Sequence, residues 1–169
     1  LFRSIDEINK TMSDLKSISN LENEVRVLEK KQEQQIGGEF VWRIDKWKEK
    51  LEQARAGINK IIYSDAFYSH RNGYKMCLNV CPNGISDGEG THLSVFFCLM
   101  RGEFDDILSW PFKHDVTFEL INQHTTQIHT SLTKKYDSNP NISVAFQKPI
   151  SDRNTGFGYL KFIPLKELS

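Results

Sequence analysis

His92 and Ser94 are two residues of this sequence whose chemistry could support nucleophilic catalysis. They lie two positions apart in an apparent strand, where alternate side chains share a face. A carboxylate that would orient the histidine is not evident, so the sequence does not indicate a serine–histidine catalytic site. We prefer the alternative that His92 is a structural histidine, hydrogen-bonded near a turn.

Glycine-rich stretches and histidines do not indicate a phosphate site or a metal site. Gly88-Glu89-Gly90 and Gly156-Phe157-Gly158 do not open a helix whose N-terminus could hold phosphate, and turns or bulges are the better interpretation. The histidines lack the spacing of metal ligands. They are His70, His92, His114, His124 and His129. We predict no enzymatic activity, no metal and no cofactor for this chain.

The three cysteines are Cys77, Cys81 and Cys98. An odd number without closely spaced pairs argues against both a disulfide framework and a zinc site. Cys77 and Cys81 stand four apart in an apparent strand, so both side chains should point to the same side. We expect small buried apolar residues in a reducing compartment, and therefore a cytoplasmic protein.

Length and charge limit the classes of protein to which the chain can belong. Its 169 residues have room for one domain and an extension. The 22 Lys and Arg residues balance the 22 Asp and Glu residues, so the basic footprint of a nucleic-acid-binding protein is missing. No apolar run is long enough to cross a bilayer, and we expect neither a transmembrane segment nor a signal peptide. Because the chain starts at Leu1, we expect a fragment of a longer protein.

Apolar residues at the N-terminus recur three and four positions apart, which predicts an amphipathic helix over residues 1–36 that ends at Gly37-Gly38. One helix cannot bury a narrow apolar stripe in water, so we expect residues 1–37 to form a coiled coil. Isoleucine at many core positions favours three strands over two. The alternative is a helix folded back onto the rest of the chain. The predicted trimerisation residues are Ile5, Ile8, Met12, Leu15, Ile18, Leu21, Val25 and Leu28.

From Phe40 onward, short β-branched and aromatic runs alternate with turn-forming Gly, Pro, Asn and Asp residues. Six to eight short strands without long helices between them predict an all-β antiparallel sandwich of seven to eight strands over residues 38–169. Apolar residues at helical spacing followed by Gly57 predict one short helix. The predicted strands cover residues 40–44, 61–63, 74–81, 93–100, 116–121, 142–146 and 159–163, and the short helix covers residues 46–56.

Several sequence stretches resemble the meprin-and-TRAF-homology (MATH) domain, and others resemble the TNF-receptor-associated factor (TRAF) family specifically. The first group comprises residues 40–44, Tyr63 to Tyr68 and Gly73 to Leu78. The second group comprises Gly88 to Ser94, Trp110 to Phe112, Val116 to Phe118, Phe146 to Pro149 and Gly156 to Tyr159. The resemblance covers essentially the whole chain, and the motifs occur in the order of the family.

This resemblance implies a homotrimeric signalling adaptor in which a parallel coiled coil carries three eight-stranded sandwiches. Each sandwich is expected to bind short linear peptides of receptor cytoplasmic tails or of adaptor proteins, in many members with a Pro-x-Gln or Pro-x-Glu core. The peptide adds to a sheet edge, where main-chain hydrogen bonds give affinity and side-chain pockets give specificity. One site is weak, so clustered receptors are bound through valency.

The resemblance also implies peptide-binding positions, several of which carry altered residues. Asn79 and Cys81 stand where many members have an Arg and a Tyr that hold the Gln or Glu of the peptide, and Ile85 stands at an Asp position. Of the three serines of the family, only the first remains, as Ser143. Loss of the charged clamp would remove a hydrogen bond worth about 1.5–3 kcal/mol. The remaining expected site residues are Phe96, Tyr136, Phe157, Gly158 and Tyr159, and the aromatic pair Phe157 and Tyr159 matches one that a branch of the family uses for an aromatic ligand residue.

Family members continue past the segment that resembles Tyr159 to Leu165 with one more strand, which pairs beside the first strand. The final strand is therefore expected to be missing from this sequence, which leaves the first strand with an open edge. Two alternative functions stay open. The chain could select substrates for a ubiquitin ligase whose RING lies upstream, or it could be an oligomerisation module with a vestigial peptide groove. Ordinary packing is the alternative role of Phe157 and Tyr159.

Overall fold

The computed structural model describes residues 2–34, 38–121 and 128–168 of the chain. In this part of the chain, three α-helices and seven strands follow one another, with short 3-10 helices between them. The helices are α1 (Phe2–Gln34), α2 (Trp47–Arg55) and α3 (Pro140–Ser143). The strands are β1 (Ile62–Tyr63), β2 (Phe67–Tyr68), β3 (Lys75–Cys81), β4 (His92–Met100), β5 (Val116–Ile121), β6 (Ile128–Lys134) and β7 (Phe157–Pro164).

The long N-terminal helix is confirmed as α1, and its apolar stripe lies open to solvent within a single chain. The exposed fraction runs from 49% at Ile5 to 59% at Leu15 and Leu21, and Ile8, Met12, Ile18 and Val25 lie between these values. The alternative, in which the helix folds back and buries this stripe on its own β domain, is therefore wrong. Leu28 belongs to α1, but its side chain lies outside the described part of the structure.

The strands form two antiparallel sheets. In the five-stranded sheet the order is β1-β3-β4-β7. Strand β2 also pairs with the start of β3, at Phe67↔Met76 and Tyr68↔Lys75. The second sheet consists of β5 and β6, which pair from Val116↔Lys134 to Ile121↔Ile128. Adjacent antiparallel strands in both sheets agree with the predicted all-β antiparallel fold, and seven strands lie in the range expected from the sequence.

The hydrophobic core lies between the two sheets. Phe97 and Leu99 of β4 and Ile163 of β7 contribute fully buried side chains from the five-stranded sheet, and Phe118 of β5 contributes a buried ring from the second sheet. Phe146, from the turn that follows α3, is 1% exposed and lies 6.0 Å from Phe97 between ring centroids. Alternation along β4 explains this packing, because residues two apart on a strand share a face.

The short helix predicted over residues 46–56 is confirmed as α2. Ala54 is buried, while Trp47 and Leu51 pack against the core. Gly57 follows with φ of +79°, a left-handed conformation that glycine adopts without the steric cost of a β-carbon and that commonly ends a helix.

The strand predicted over residues 142–146 is wrong, since residues 140–146 form α3 and a 3-10 helix, Val144–Phe146. The Asn139 side chain accepts a hydrogen bond from the Asn141 N–H at 3.0 Å, and Pro140 occupies the first helical position. Both residues favour the start of a helix. The short apolar run that follows them therefore begins in a helical conformation.

The strand predicted over residues 40–44 does not form as a strand. The segment keeps the alternation of one, since Phe40, Trp42 and Ile44 pack against the core and the residues between them are exposed. Phe40 stacks on Phe67 with ring centroids 4.2 Å apart. No described strand pairs with this segment, so packing alone holds it. The sequence also missed β2 and β6, where the apolar alternation is short or weak.

Candidate functional site

Four residues form a continuous row across the five-stranded sheet. Tyr63 pairs with Asn79, Asn79 with Phe96, and Phe96 with Gly158, so the row crosses β1, β3, β4 and β7. Directly opposite residues of paired strands project from the same face. Their neighbours along β3 and β4 belong to the core, so this row lies on the outer face of the sheet, away from the core.

Asn79 and Cys81, which stand at the expected clamp positions, lie below the surface. Asn79 is 6% exposed and donates a hydrogen bond from Nδ2 to the Cys98 sulfur at 3.2 Å. Cys81 is 2% exposed. Both side chains therefore form the floor of the outer face.

Glycines let the chain lie very close to this floor. A β-carbon on Gly156 would be 3.0 Å from the Phe96 β-carbon and 3.2 Å from Nδ2 of Asn79. A β-carbon on Gly158 would be 2.0 Å from the Val95 carbonyl oxygen, closer than any real contact. Gly158 is therefore required for β7 to pair with β4.

Phe157 and Tyr159 point to the opposite side of β7, toward the core. They pair with Phe97 and Val95 of β4, whose side chains face inward. Phe157 contacts Phe146 with ring centroids 4.8 Å apart, and the Tyr159 hydroxyl donates a hydrogen bond to the Thr133 carbonyl oxygen at 2.7 Å. Both aromatic side chains pack, as one interpretation of the sequence expected, and both remain partly exposed.

A lysine that the sequence analysis did not identify lies over this aromatic pair. The Lys134 ammonium is 5.2 Å from the centroid of Phe157 and 4.4 Å from that of Tyr159. Cations at such distances are attracted by the electron-rich ring face, by about 0.5–1 kcal/mol at exposed sites. Local sequence signals could not predict this contact, because β6 and β7 lie far apart in the chain.

Tyr136 and Ser143 extend this side of the site. The Tyr136 ring contacts Phe146 with centroids 5.2 Å apart in an edge-on arrangement. Ser143 ends α3 and is partly buried, and its N–H donates a hydrogen bond to the Asn139 carbonyl oxygen at 2.7 Å. The cap at Asn139 therefore fixes the start of the helix that ends at Ser143, three residues before Phe146.

Hydrogen bonds through the Ser94 side chain link Ile85 to β7. The Ile85 N–H donates to the Ser94 hydroxyl at 3.2 Å, and this hydroxyl donates to the Leu160 carbonyl oxygen at 2.6 Å. Ile85 and Leu160 are both 39% exposed. Ser94 is thus used in a structural link, while Nδ1 of His92 contacts the Thr91 hydroxyl at 2.9 Å, which leaves no serine–histidine pair.

Phe157, Gly158 and Tyr159 lie on the edge strand β7, Phe96 lies one strand inward on β4, and Asn79 and Cys81 lie two strands inward on β3. β7 is the last strand of its sheet and pairs on one side with β4, and no described strand pairs with its other side. Phe96, Gly158, Asn79 and Cys81 lie toward the outer face, whereas Phe157, Tyr159, Tyr136 and Ser143 lie toward the inner face. An open strand edge exposes a row of backbone donors and acceptors that can pair with another extended segment.

The second cation near the site is Arg153. Its guanidinium stacks on the Tyr63 ring at 4.2 Å, on the outer face. Hydrogen bonding from Cys98, together with the charge of Arg153, lowers the pKa of Cys77 to about 7. The same hydrogen bond raises the pKa of Cys98, because its thiol is the donor.

The other surface features of the described residues do not overlap with this edge. An open groove of about 800 Å³ lies between α2 and the C-terminal end of β7, lined in part by Trp47, Leu51, His92 and Leu165. In the described ranges, no group of three or more His, Cys, Asp or Glu side chains could hold a metal ion. No helix among these residues combines the length and apolar character needed to span a membrane.

In sequence and in structure, the chain is similar to members of one protein family. A protein-family model described as "TRAF/meprin, MATH domain" matches residues 59–169. TNF receptor-associated factor 1 of Mus musculus is 34% identical over 170 residues, 99% of this chain and 40% of that protein. TNF receptor-associated factor 2 of Homo sapiens is 38% identical over 154 residues, 91% of this chain and 30% of that protein. The chain thus spans less than half the length of these relatives. The solved structure of Notothenia coriiceps TRAF5 has a TM-score of 0.74 and 30% identity, over 98% of this chain and 80% of that one.

Proposed function

The chain belongs to the TRAF family of MATH-domain proteins, and we propose on this premise that it is an adaptor in TNF receptor signalling. In this proposal it acts in the cytoplasm, without catalytic activity of its own, by binding short linear peptides of receptor tails or of other adaptors. The names of its relatives, which are TNF receptor-associated factors, support this assignment.

The observation that carries the proposal is the open edge of β7. This edge has Gly158 at its centre and aromatic side chains beside it, namely Phe96 on the outer face and Phe157 and Tyr159 on the inner face. A peptide that pairs with the edge as an added strand would gain main-chain hydrogen bonds from β7. Its alternate side chains would then contact the two faces in turn.

A cation beside this edge suggests the chemistry of the peptide. Lys134 lies on the inner face of β7, whereas Arg153 stacks on Tyr63 of β1 at the opposite edge of the sheet, and the clamp position on β3 holds the neutral Asn79. An acidic side chain of the peptide would therefore meet the positive charge of Lys134 from β6. We propose that peptides with an acidic or aromatic residue beside Lys134 bind better than peptides whose recognition requires an Arg at position 79 of this protein, which is Asn79.

We further propose that residues 1–37 assemble three chains and that residues 38–169 form the peptide-binding cap. Exposure of Ile8, Leu15 and Leu21 supports this division, because an isolated helix gains nothing from an exposed apolar stripe. Three linked caps would bind clustered receptor tails more tightly than one cap, since each later contact is made at high effective concentration.

Two other functions have support. Selection of substrates for a ubiquitin ligase needs the same peptide-binding edge, and is distinguished by a RING elsewhere in the full-length protein. An oligomerisation module with a vestigial groove is favoured by the burial of Asn79 and Cys81 at the clamp positions.

The proposed docking is tested with an array of Pro-x-Gln, Pro-x-Glu and aromatic peptides, followed by NMR of the purified chain with the best binder. We expect the largest amide shifts and the strongest protection from exchange at residues 157–161. The opposite edge of the same sheet, at β1 and β2, is the internal control and should not change. Failure of every peptide to bind, or shifts confined to the groove beside α2, would contradict the proposal.

A further inference from the structure

Cys77 and Cys98 lie directly opposite each other in the β3–β4 ladder. Both are buried and both are free thiols. Directly opposite residues of antiparallel strands are separated by roughly 4.5 or 5.5 Å between α-carbons, depending on the type of pair. Both distances fall within the roughly 4.4–6.8 Å that disulfide bonds span. The ladder thus places the two thiols where they can be joined without moving a strand.

We propose that Cys77 and Cys98 are a modification site. Hydroperoxides oxidise the two thiols to a disulfide that joins β3 to β4 beneath the outer face of the sheet. The inference uses the ladder and the side chains around it, and it stands whether or not β7 binds a peptide. In a reducing compartment such a bond is a transient, redox-dependent state rather than a structural staple.

The surroundings give the two thiols different roles. Hydrogen bonding from Cys98 and the positive charge of Arg153 favour the thiolate of Cys77, which is the nucleophilic form. Cys98 keeps its proton because its thiol donates the hydrogen bond to Cys77 and is buried, and these two effects outweigh the hydrogen bond from Asn79 at 3.2 Å and the charge of Arg153, which lower its pKa. Cys77 is therefore the residue that attacks the oxidant, and Cys98 is the one that resolves the product.

The reaction balances with one hydroperoxide. The Cys77 thiolate attacks a peroxide oxygen, the O–O bond breaks, and a sulfenic acid forms while an alcohol or water leaves with the proton of Cys98. The Cys98 sulfur then attacks the Cys77 sulfur, the S–O bond breaks, and hydroxide leaves and is protonated to water by solvent. Two thiols are oxidised and one peroxide is reduced.

Gly156 leaves a gap beside the Cys98 sulfur, directly across the ladder from Cys77, through which a small oxidant would reach the thiol pair. A β-carbon at this position would be 3.3 Å from the Cys98 sulfur, so any side chain there would cover it. Glycine leaves this space free, and Gly156 is itself partly exposed. A hydroperoxide is small enough to use such a gap, whereas a bulky alkylating reagent is not.

Cys81 is a matched control on the same face of β3. It is as buried as Cys77, but it lies opposite Ser94 rather than a second thiol. Burial raises the pKa of Cys81. Cys81 thus lacks both the partner and the stabilised thiolate, and should stay reduced under conditions that oxidise the pair.

The test is mass spectrometry of the whole chain after brief treatment with hydrogen peroxide and alkylation under denaturing conditions. Trypsin leaves all three cysteines in residues 76–101, so a second cleavage after Glu89 is needed to separate Cys98 from the other two. We expect the Cys81→Ala variant to lose two hydrogens and become unreactive to the alkylating reagent. The Cys98→Ala variant should not form the bond, and Arg153→Gln should slow its formation severalfold.

Three results would overturn the proposal. They are oxygen addition at Cys77 without a link to Cys98, a link that involves Cys81 instead, and no oxidation of the wild-type chain unless denaturant is present. Circular dichroism of each variant separates a loss of the thiol pair from a loss of fold. The wild-type measurement needs no substitution, so it decides the proposal even where a variant does not fold.

Discussion

At the scale of single residues, absence of a side chain matters as much as its presence. Gly158 lets β7 reach β4, and Gly156 lets the preceding segment lie over Asn79 and Cys98. Asn79, one of the two clamp positions, is buried beneath this close approach. An Arg at position 79 would have no room unless the segment that contains Gly156 moved. The resemblance to the family identified the altered residues, whereas only the packing in the structure shows that their side chains are buried.

Replacing Gly158 by Ala should destabilise the fold strongly. The new β-carbon would meet the Val95 carbonyl oxygen at 2.0 Å, and a backbone atom cannot rotate away. We expect a loss of about 3 kcal/mol in the free energy of unfolding, at the upper end of typical overpacking costs. Urea unfolding of the purified chain measures it.

The control for this substitution is Gly90→Ala, where φ is +74° and nothing lies within 4 Å of the added carbon. Only the left-handed backbone opposes alanine there, at a cost of about 1–2 kcal/mol. Equal losses for the two variants would show that the close approach at Gly158 does not limit β7.

At the scale of elements, helix α3 is the part of the site that the sequence placed in the wrong class. Residues 142–146 are apolar and short, and such a run is ambiguous between strand and helix. The decisive signals are Asn139 and Pro140, two residue types that favour turns but that also start helices. The result matters because α3 positions Ser143 and leads to Phe146, which anchors Tyr136 and Phe157.

Removing the cap of α3 should weaken this element. Asn139→Ala deletes the acceptor of the Asn141 N–H and should lower stability by about 1 kcal/mol. Asn139→Asp keeps an acceptor of the same shape and is the control, with an expected loss close to zero. Thermal melts of both variants provide the comparison. If the alanine and aspartate variants melt together, the cap does not determine the conformation of residues 140–146.

The long regular elements were predictable and the irregular ones were not, for a physical reason. Strands β3, β4 and β7 and helix α1 repeat an apolar pattern over seven or more residues, so local periodicity identifies them, whereas β6 is also seven residues long but mostly polar and was missed. The extended segment 40–44 has the periodicity of a strand, but a strand also needs a partner, which its own sequence does not specify. Likewise, Lys134 and Arg153 contact the site through tertiary packing that no local signal encodes.

At the scale of the whole molecule, the apolar stripe of α1 remains to be covered. Within one chain these side chains are about half exposed, and the energetic gain of burying them requires other copies. We therefore expect light scattering to give three times 19.6 kDa at concentrations where the coiled coil is formed.

Two valines test this assembly with the same substitution. Val25→Asp places a charge in the stripe and should dissociate the trimer, whereas Val27→Asp changes an exposed valine outside the stripe and should leave it intact. Sedimentation over a range of concentrations measures both. A wild-type chain that stays monomeric at high concentration, or two variants that behave alike, would remove the argument for cooperation between caps.

The hydroxyl of Tyr159 has a consequence beyond its own contact. Through Thr133 it joins β7 to the hairpin of β5 and β6, while Lys134 adds a second tie at the same place. The strand that would receive a guest is therefore coupled to the opposite layer of the sandwich. Occupancy at one border of the protein would therefore alter the freedom of the hairpin, which would meet the guest through Lys134 of β6.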